Sequence, residues 1–134
     1  MANRFEPLHP YVSYYTNLHM PNVISKLQYR YRGKAIIYGI RCVLTNMIYI
    51  GSSMQPGLRF HNHLISGDSS NTYLQADINK HGLDKFVVYV FEVVDLPKTL
   101  SYNQCKAILR ELEQKRIDNF PKTALYNTIN SMSS

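Results

Sequence analysis

Residues 35–53 decide the fold, and they read AIIYGIRCVLTNMIYIGSS. Both ends of this stretch are rich in Ile and Tyr, residue types that favour β-strands. We predict a first strand over residues 35–41 and a second strand over residues 46–52, joined by a short connection at residues 42–45. Two strands so close in sequence predict an antiparallel β-hairpin.

The register of this hairpin has to be inferred, because its connection contains no Asn-Gly turn signal. A loop centred on residues 43–44 would place Tyr38 directly opposite Tyr49, with the two phenols side by side on one face. Gly51 follows two residues later on the same face, where the missing side chain leaves room for a ligand. The hairpin therefore predicts a tyrosine pair beside an open position.

The rest of the chain predicts three helices and one further strand. Proline in the first turn, glycine just past the end and capping side chains mark the helix limits. The predicted helices run from Pro56 to Gly67, from Asn71 to Gly82, and from Ser101 to a point before Pro121. The unbroken apolar run Phe86–Phe91 predicts a strand that is buried on both faces. Arg59 and His63 are four residues apart on the first helix, so they should project together.

Six polar residues follow one another along the chain: Tyr38, Tyr49, Arg59, His63, Glu113 and Asn127. Their order and spacing resemble the GIY-YIG endonuclease domain family, which includes intron-encoded homing endonucleases and whose members cut phosphodiester bonds. The resemblance covers roughly residues 35–130. It implies an α/β (α+β) fold in which a small three-stranded antiparallel sheet is flanked by helices. It also implies that Asn127 anchors the site by hydrogen bonding.

The resemblance implies roles for the other five residues. Glu113 would hold a single Mg²⁺ (or Mn²⁺) ion, and the forked donors of Arg59 would stabilise the pentacovalent phosphate. Tyr38 would orient or deprotonate the attacking water, Tyr49 would share its hydrogen-bonded cluster, and His63 would tune the proton transfer. A phenol is a poor base at neutral pH unless a cation lowers its pKa. Arg59 and the metal ion are the candidates for that effect.

Three departures from the family pattern bear on activity. The first tripeptide of the family is Gly-Ile-Tyr, but here Ile36 stands in place of the glycine. Met47 occupies a position at which relatives often carry a lysine that could lower the pKa of a phenol. Residues 67–71 offer no match for a second histidine that some relatives carry. These departures weaken the assignment of the base more than that of the metal ligand.

Positive charge is concentrated in the first half of the chain. The formal net charge is +6; residues 1–60 carry seven basic side chains against one acidic one, whereas residues 61–134 carry eight of each sign. A one-sided basic surface is expected of a protein that binds a phosphate backbone. The predicted nucleic-acid contacts are Arg30, Arg32, Lys34, Arg41, Ser52 and Ser53.

The first 34 residues differ from the rest of the chain. They contain three prolines and show neither a helical nor a strand period, so we predict an extended basic and aromatic N-terminal arm over residues 1–34. The arm ends in QYRYRGK at residues 28–34, where alternating aromatic and cationic side chains suit stacking on bases and contacting phosphates. The alternative is a short edge strand with Tyr29 and Tyr31 packed on one face.

Length and composition narrow the class of protein. A chain of 134 residues predicts one domain, here residues 35–130, followed by a polar tail at residues 131–134. The two cysteines, Cys42 and Cys105, have no CxxC spacing, which argues against a disulfide framework and a zinc site and favours a reducing compartment. No apolar run is long enough to span a membrane, and no secretory signal is expected. An organellar, mitochondrial location follows only from the resemblance to intron-encoded relatives.

Two further hypotheses compete with the leading one. The leading hypothesis is a Mg²⁺-dependent endonuclease or nickase acting on DNA, with RNA as the other substrate. The second is a catalytically inactive, domesticated domain that binds nucleic acid or belongs to a ribonucleoprotein such as the mitochondrial ribosome. The third is a protein-interaction module. In the first two, a protein or ribonucleoprotein partner could supply specificity.

Overall fold

The computed structural model describes residues 11–67 and 71–128. In chain order the elements are β1 (Ser13–Tyr15), α1 (Pro21–Arg30), β2 (Ala35–Cys42), β3 (Ile48–Ser53), α2 (Pro56–Leu64), α3 (Thr72–His81), β4 (Phe86–Val94) and α4 (Tyr102–Ile117). Short 3₁₀ turns occupy Leu83–Lys85 and Lys122–Ala124. The predicted tail at residues 131–134 and the first ten residues of the predicted arm lie outside the described residues.

The sheet contains four antiparallel strands in the order β1-β4-β2-β3. The predicted α+β class is confirmed, but the described residues form four strands and not three, because the three-residue strand β1 pairs with the outer side of β4. Strand β4 is buried on both faces over Phe86–Phe91, as predicted. Since β2 and β4 form the centre of the sheet, β3 lies at one edge.

Helices cover both faces of the sheet and divide the core into two clusters. On one face, Ile24, Leu27, Phe60, Leu74 and Ile78 of helices α1–α3 pack in one cluster with Tyr38 and Ile40 of β2. On the other face, Leu109 of α4 and Phe120 pack with apolar residues of all three long strands. Burial of this apolar surface is the main stabilising contribution to such a fold. Among the described residues, no helix has the length and apolar character needed to cross a membrane.

The segment predicted to be an extended arm is helical over Pro21–Arg30, so that prediction is wrong for this part of the chain. The proline occupies the first turn, where its missing N–H costs no hydrogen bond. Ile24, Leu27 and Tyr31 are buried at spacings of three and four residues, the period of one helix face. The Tyr, Asn and His residues scattered through this part of the sequence obscured the helical period. Tyr29 points into solvent, so the alternative of two tyrosines packed together is wrong as well.

The hairpin register differs from the predicted one by two residues. Tyr38 pairs with Gly51, and Tyr49 pairs with Ile40. The connection occupies residues 43–47 because Cys42 donates its N–H to the carbonyl of Met47 and Asn46 adopts a positive φ of 64°. Since side chains alternate with a period of two, a shift of two residues keeps both tyrosines on one face.

Two helix caps confirm the predicted starting points. The Asn71 side chain accepts a hydrogen bond from the Leu74 N–H at 2.9 Å and begins α3. Ser101 and Gln104 form a reciprocal capping box at the start of α4. The second cap fixes where α4 begins, and therefore which of its side chains face the edge of the sheet.

Candidate active site

A cluster of three rings lies between the sheet and α2. The Tyr38 hydroxyl is hydrogen-bonded to His63 Nε2 at 2.9 Å, and the Tyr38 and Tyr49 ring centroids are 6.3 Å apart. The Tyr49 and His63 ring centroids are 5.3 Å apart. Tyr38 and His63 are each 1% exposed, whereas Tyr49 is half-buried. Three of the predicted site residues are therefore brought together, with Tyr49 as the member nearest to solvent.

Gly51 leaves the space that the rings of this cluster occupy. A Cβ atom at position 51 would lie 2.6 Å from both Cζ and the hydroxyl oxygen of Tyr38, and 3.0 Å from Cε2 of Tyr49. The predicted open position beside the tyrosines is therefore filled by the Tyr38 ring and does not serve as space for a ligand. The glycine is needed for packing of the cluster itself.

Burial sets the protonation of the cluster. It raises the pKa of the Tyr38 phenol well above its usual value, and the nearby Tyr49 adds to the rise, whereas the charge of Arg59 lowers that pKa only in part. Burial, together with the charge of Arg59, lowers the pKa of His63 to about 4. At neutral pH the phenol of Tyr38 is protonated and the imidazole is neutral. Tyr38 is therefore not a base that is ionised in advance.

Glu113 approaches the same region from the opposite face of the sheet. Its carboxylate Oε1 accepts a hydrogen bond from the Ser52 hydroxyl at 2.8 Å. Burial raises the pKa of Glu113, and the Ser52 hydrogen bond and the charges of Arg110 and Arg59 lower it in part. Within residues 11–67 and 71–128, no basic side chain forms a salt bridge with this carboxylate. Glu113 thus remains available to a cation.

An open cleft of about 630 Å³ joins the two sides of the edge strand. Its floor is formed by Tyr49, Ser52 and Ser53 of β3, and its walls include Leu58, Arg59 and Asn62 of α2 and Tyr102, Lys106, Arg110 and Glu113 of α4. Tyr38 and His63 lie behind the floor and do not line the cleft. A ligand in the cleft would meet a phenol, a guanidinium and a carboxylate in one place.

The donor set in the cleft fits a hydrated magnesium ion. In the part of the chain that the structure describes, no three His, Cys, Asp or Glu side chains form a metal-binding cluster. A zinc-like cage is therefore absent from the described residues, but Mg²⁺ retains several waters and is commonly held by one or two carboxylates. Glu113 is such a carboxylate, and the volume of the cleft can hold the waters.

Asn127 holds the edge strand from outside. Its side-chain oxygen accepts a hydrogen bond from the Ile50 N–H at 2.9 Å, and its amide nitrogen donates to the Ile50 carbonyl at 2.8 Å. Leu125 forms a parallel bridge with Ile48 beside it. The outward-facing backbone groups of an edge strand otherwise lack partners. The two hydrogen bonds from Asn127 therefore fix the position of Ile50, which lies between Tyr49 and Gly51.

The predicted nucleic-acid contacts divide into three groups. Ser52 and Ser53 line the cleft. Three cations, Arg30, Arg32 and Lys34, are exposed at and beyond the end of α1, where the Arg32 guanidinium lies 5.5 Å from the Tyr29 ring centroid. The remaining cation, Arg41, is hydrogen-bonded to the Tyr89 hydroxyl at 2.8 Å and to Asn46, on the face of the sheet opposite Tyr38, so the structure does not bring it to the cleft.

Three cleft residues on α4 were not predicted from the sequence: Tyr102, Lys106 and Arg110. The signal was present, because these residues are spaced by four and Glu113 follows three residues after the last one, so all four project from one side of a helix. Residues 61–134 carry equal numbers of basic and acidic side chains. Their net charge of zero therefore gave no sign of the cations that cluster on one side of α4.

The two altered family positions do not enter the cleft. Ile36 is fully buried in the core cluster that contains Tyr38. Met47 is half-buried at the edge of the same cluster. Neither side chain lines the cleft, so neither obstructs a ligand there.

A family model of the GIY-YIG catalytic domain matches residues 34–127. The chain belongs to the GIY-YIG family. The resemblance inferred from the six polar residues is thereby confirmed. This GIY-YIG domain is 31% identical over 111 residues to the "Probable intron-encoded endonuclease 1" of Neurospora crassa, covering 83% of the chain. It spans about a third of that relative's length, 35%.

Among solved structures, a mutant of the catalytic domain of the intron endonuclease I-TevI is similar to this chain. The two share 32% sequence identity, and the match covers 61% of this chain and 87% of that domain with a TM-score of 0.41.

Proposed function

We propose that this GIY-YIG domain is a magnesium-dependent endonuclease or nickase that hydrolyses DNA phosphodiester bonds. The observation that carries the proposal is the meeting of Tyr49, Arg59 and Glu113 in one open cleft, although they come from a strand and two helices on opposite faces of the sheet. Such a set answers the needs of phosphodiester hydrolysis: an activated water, neutralisation of the phosphate charge and assistance to the leaving oxygen.

Arg59 binds the scissile phosphate in this proposal. It is exposed in the cleft wall, and its planar guanidinium can donate two hydrogen bonds to neighbouring phosphate oxygens. Its charge offsets the negative charge that develops in the transition state. Glu113 holds the magnesium ion through its carboxylate, oriented by the Ser52 hydroxyl. When bound, the ion supplies Lewis-acid neutralisation of phosphate oxygens and of the leaving group.

Tyr49 orients the attacking water, because it is the member of the ring cluster that lines the cleft. Tyr38 and His63 act from behind it. The Tyr38 hydroxyl is hydrogen-bonded to His63 Nε2 and its ring packs beside that of Tyr49, so Tyr38 and His63 hold the Tyr49 phenol in place beside the attacking water. The low pKa of His63, about 4, keeps this ring uncharged at neutral pH.

The experiment is supercoiled-plasmid nicking with Mg²⁺ by the wild type, Glu113→Gln and Glu111→Gln. Glutamine at position 113 can still accept the Ser52 hydrogen bond, so the fold should persist. Glu111 is exposed on the same helix, about 200° around the axis from Glu113, and provides a matched loss of charge. We expect nicking by the wild type and Glu111→Gln, and none by Glu113→Gln.

Two other results would contradict the proposal. Undiminished nicking by Glu113→Gln would show that Glu113 does not hold the metal ion. Binding of plasmid by the wild type without nicking in Mg²⁺ or Mn²⁺ would favour the alternative of a nucleic-acid-binding or ribonucleoprotein domain without catalysis.

A further inference from the structure

One wall of the cleft carries an aromatic and cationic stripe formed by Tyr102, Lys106 and Arg110 of α4. At 100° per residue these side chains and Glu113 all project within an arc of about 80°. The stripe extends from the start of α4 to the carboxylate, a length of about 16 Å along the helix axis. The cleft therefore extends along α4, beyond the cluster of Tyr38, Tyr49 and His63.

The two cations of the stripe differ from the other cations of the same helix. Lys115 is paired with Glu111 at 3.8 Å, and Arg116 is paired with Glu92 at 3.6 Å and lies over the Phe91 ring. No salt bridge joins Lys106 or Arg110 to any acidic side chain in the described ranges. Both face the cleft without an ion-pair partner in those ranges, so an anionic ligand can bind them without first breaking a salt bridge.

Tyr102 is a large aromatic side chain that is 66% exposed at the outer end of the stripe. The Lys106 ammonium lies 5.4 Å from the centroid of its ring. The fold gains little from burying this side chain. An exposed ring beside a line of cations is the combination that binds a nucleic-acid strand, by stacking on bases and contacting phosphates.

We infer that Tyr102, Lys106 and Arg110 form a strand-binding track that carries the DNA backbone along α4 to Glu113. The inference rests on the proposed function, since it concerns how the substrate of that site is held. Lys106 and Arg110 contact backbone phosphates, and the Tyr102 ring packs on a sugar or base about five nucleotides from the scissile phosphate, given a rise of about 3.4 Å per nucleotide.

The test is binding of a fluorescently labelled DNA duplex of mixed sequence, measured by anisotropy over a range of salt concentrations with EDTA present so that no cleavage occurs. The variants are Lys106→Gln, Arg110→Gln and Tyr102→Ala, and the control is Lys115→Gln. Lys115 lies on the same helix about 180° away from the stripe, so the control removes the same charge from another face.

Each cation variant should bind more weakly and lower the slope of log K against log salt by about 0.9, the value for one lost phosphate contact on duplex DNA. Tyr102→Ala should bind more weakly with an unchanged slope, because packing of an uncharged ring against the DNA releases no counterion. Lys115→Gln should match the wild type. These positions are exposed, so all four variants should unfold at the wild-type temperature.

Wild-type affinity and slope in Lys106→Gln and Arg110→Gln would overturn the track while leaving the proposed nuclease intact. An equal loss in Lys115→Gln would also overturn it, since the effect would then come from net charge. Failure of the wild type to bind the duplex even at low salt would overturn the proposed function itself, and the track with it.

Discussion

Tyr38 lies directly opposite Gly51 in the β2–β3 pair, and its ring fills the space that a side chain at position 51 would need. Tyr49 is the diagonal neighbour, with its ring centroid 6.3 Å from that of Tyr38. The glycine and the two tyrosines thus form one packing unit. Tyr38 is the residue that requires a glycine at position 51, although Tyr38 comes eleven positions before Tyr49 in the sequence.

Gly51→Ala is expected to destabilise the fold by about 1–3 kcal/mol, because its Cβ would overlap a buried ring that has no room to move. Urea unfolding measures the loss. Gly57→Ala is the matched control, since a Cβ there would come no closer than 3.9 Å to Gln28 and a helical alanine is favourable. Equal stability of the two variants would contradict the packing argument.

The two tyrosines should differ when their hydroxyls are removed. Tyr49→Phe should slow plasmid nicking by about 10²-fold or more with little change in stability, because Tyr49 lines the cleft. Tyr38→Phe should lose about 1–3 kcal/mol of stability, because it deletes the buried hydrogen bond to His63. The measurements are nicking rate and urea unfolding. A larger rate loss in Tyr38→Phe than in Tyr49→Phe would reverse the proposed roles.

His63 should make stability depend on pH. Its pKa is lowered from 6.5 to about 4 on folding, so the unfolded chain binds more protons between those values and stability falls as pH drops through that window. The loss attributable to His63 should be about 2–3 kcal/mol between pH 7 and pH 4.5. Wild type and His63→Gln would be unfolded in urea at both pH values.

The quantity to compare is the difference between the two proteins at each pH. The raised pKa of Glu113 acts with the opposite sign, but it is present in both proteins and cancels in that difference. The wild type should lose more stability than the variant on acidification. Parallel pH profiles would show that His63 is not held neutral by the fold.

Asn127→Ala is expected to cost about 1–3 kcal/mol and to slow nicking, because Ile50 loses both side-chain hydrogen bonds and the edge strand that carries Tyr49 and Ser52 becomes less fixed. Thermal unfolding and nicking rate are the measurements. Asn119→Ala, at an exposed position after α4, is the control. Normal stability and normal nicking of Asn127→Ala would show that Asn127 does not position β3.

Local signals in the sequence were sufficient to predict most of the helices and strands. Asn71 begins α3, Ser101 and Gln104 begin α4, and Phe86–Phe91 is a buried strand, each as predicted. These features depend on neighbours within a few residues along the chain, and their chemistry can therefore be interpreted without the fold.

The sequence by itself determined the family and the six polar residues that the fold gathers around one edge strand, because their order and spacing are properties of the chain. Only the tertiary structure decided the register that puts Tyr38 against Gly51, the burial that holds His63 neutral, the separation of Arg41 from the cleft, and the approach of Glu113 from the opposite face. The physical reason is that packing between residues distant in sequence fixes pairing, desolvation and side-chain direction. No local pattern encodes those quantities.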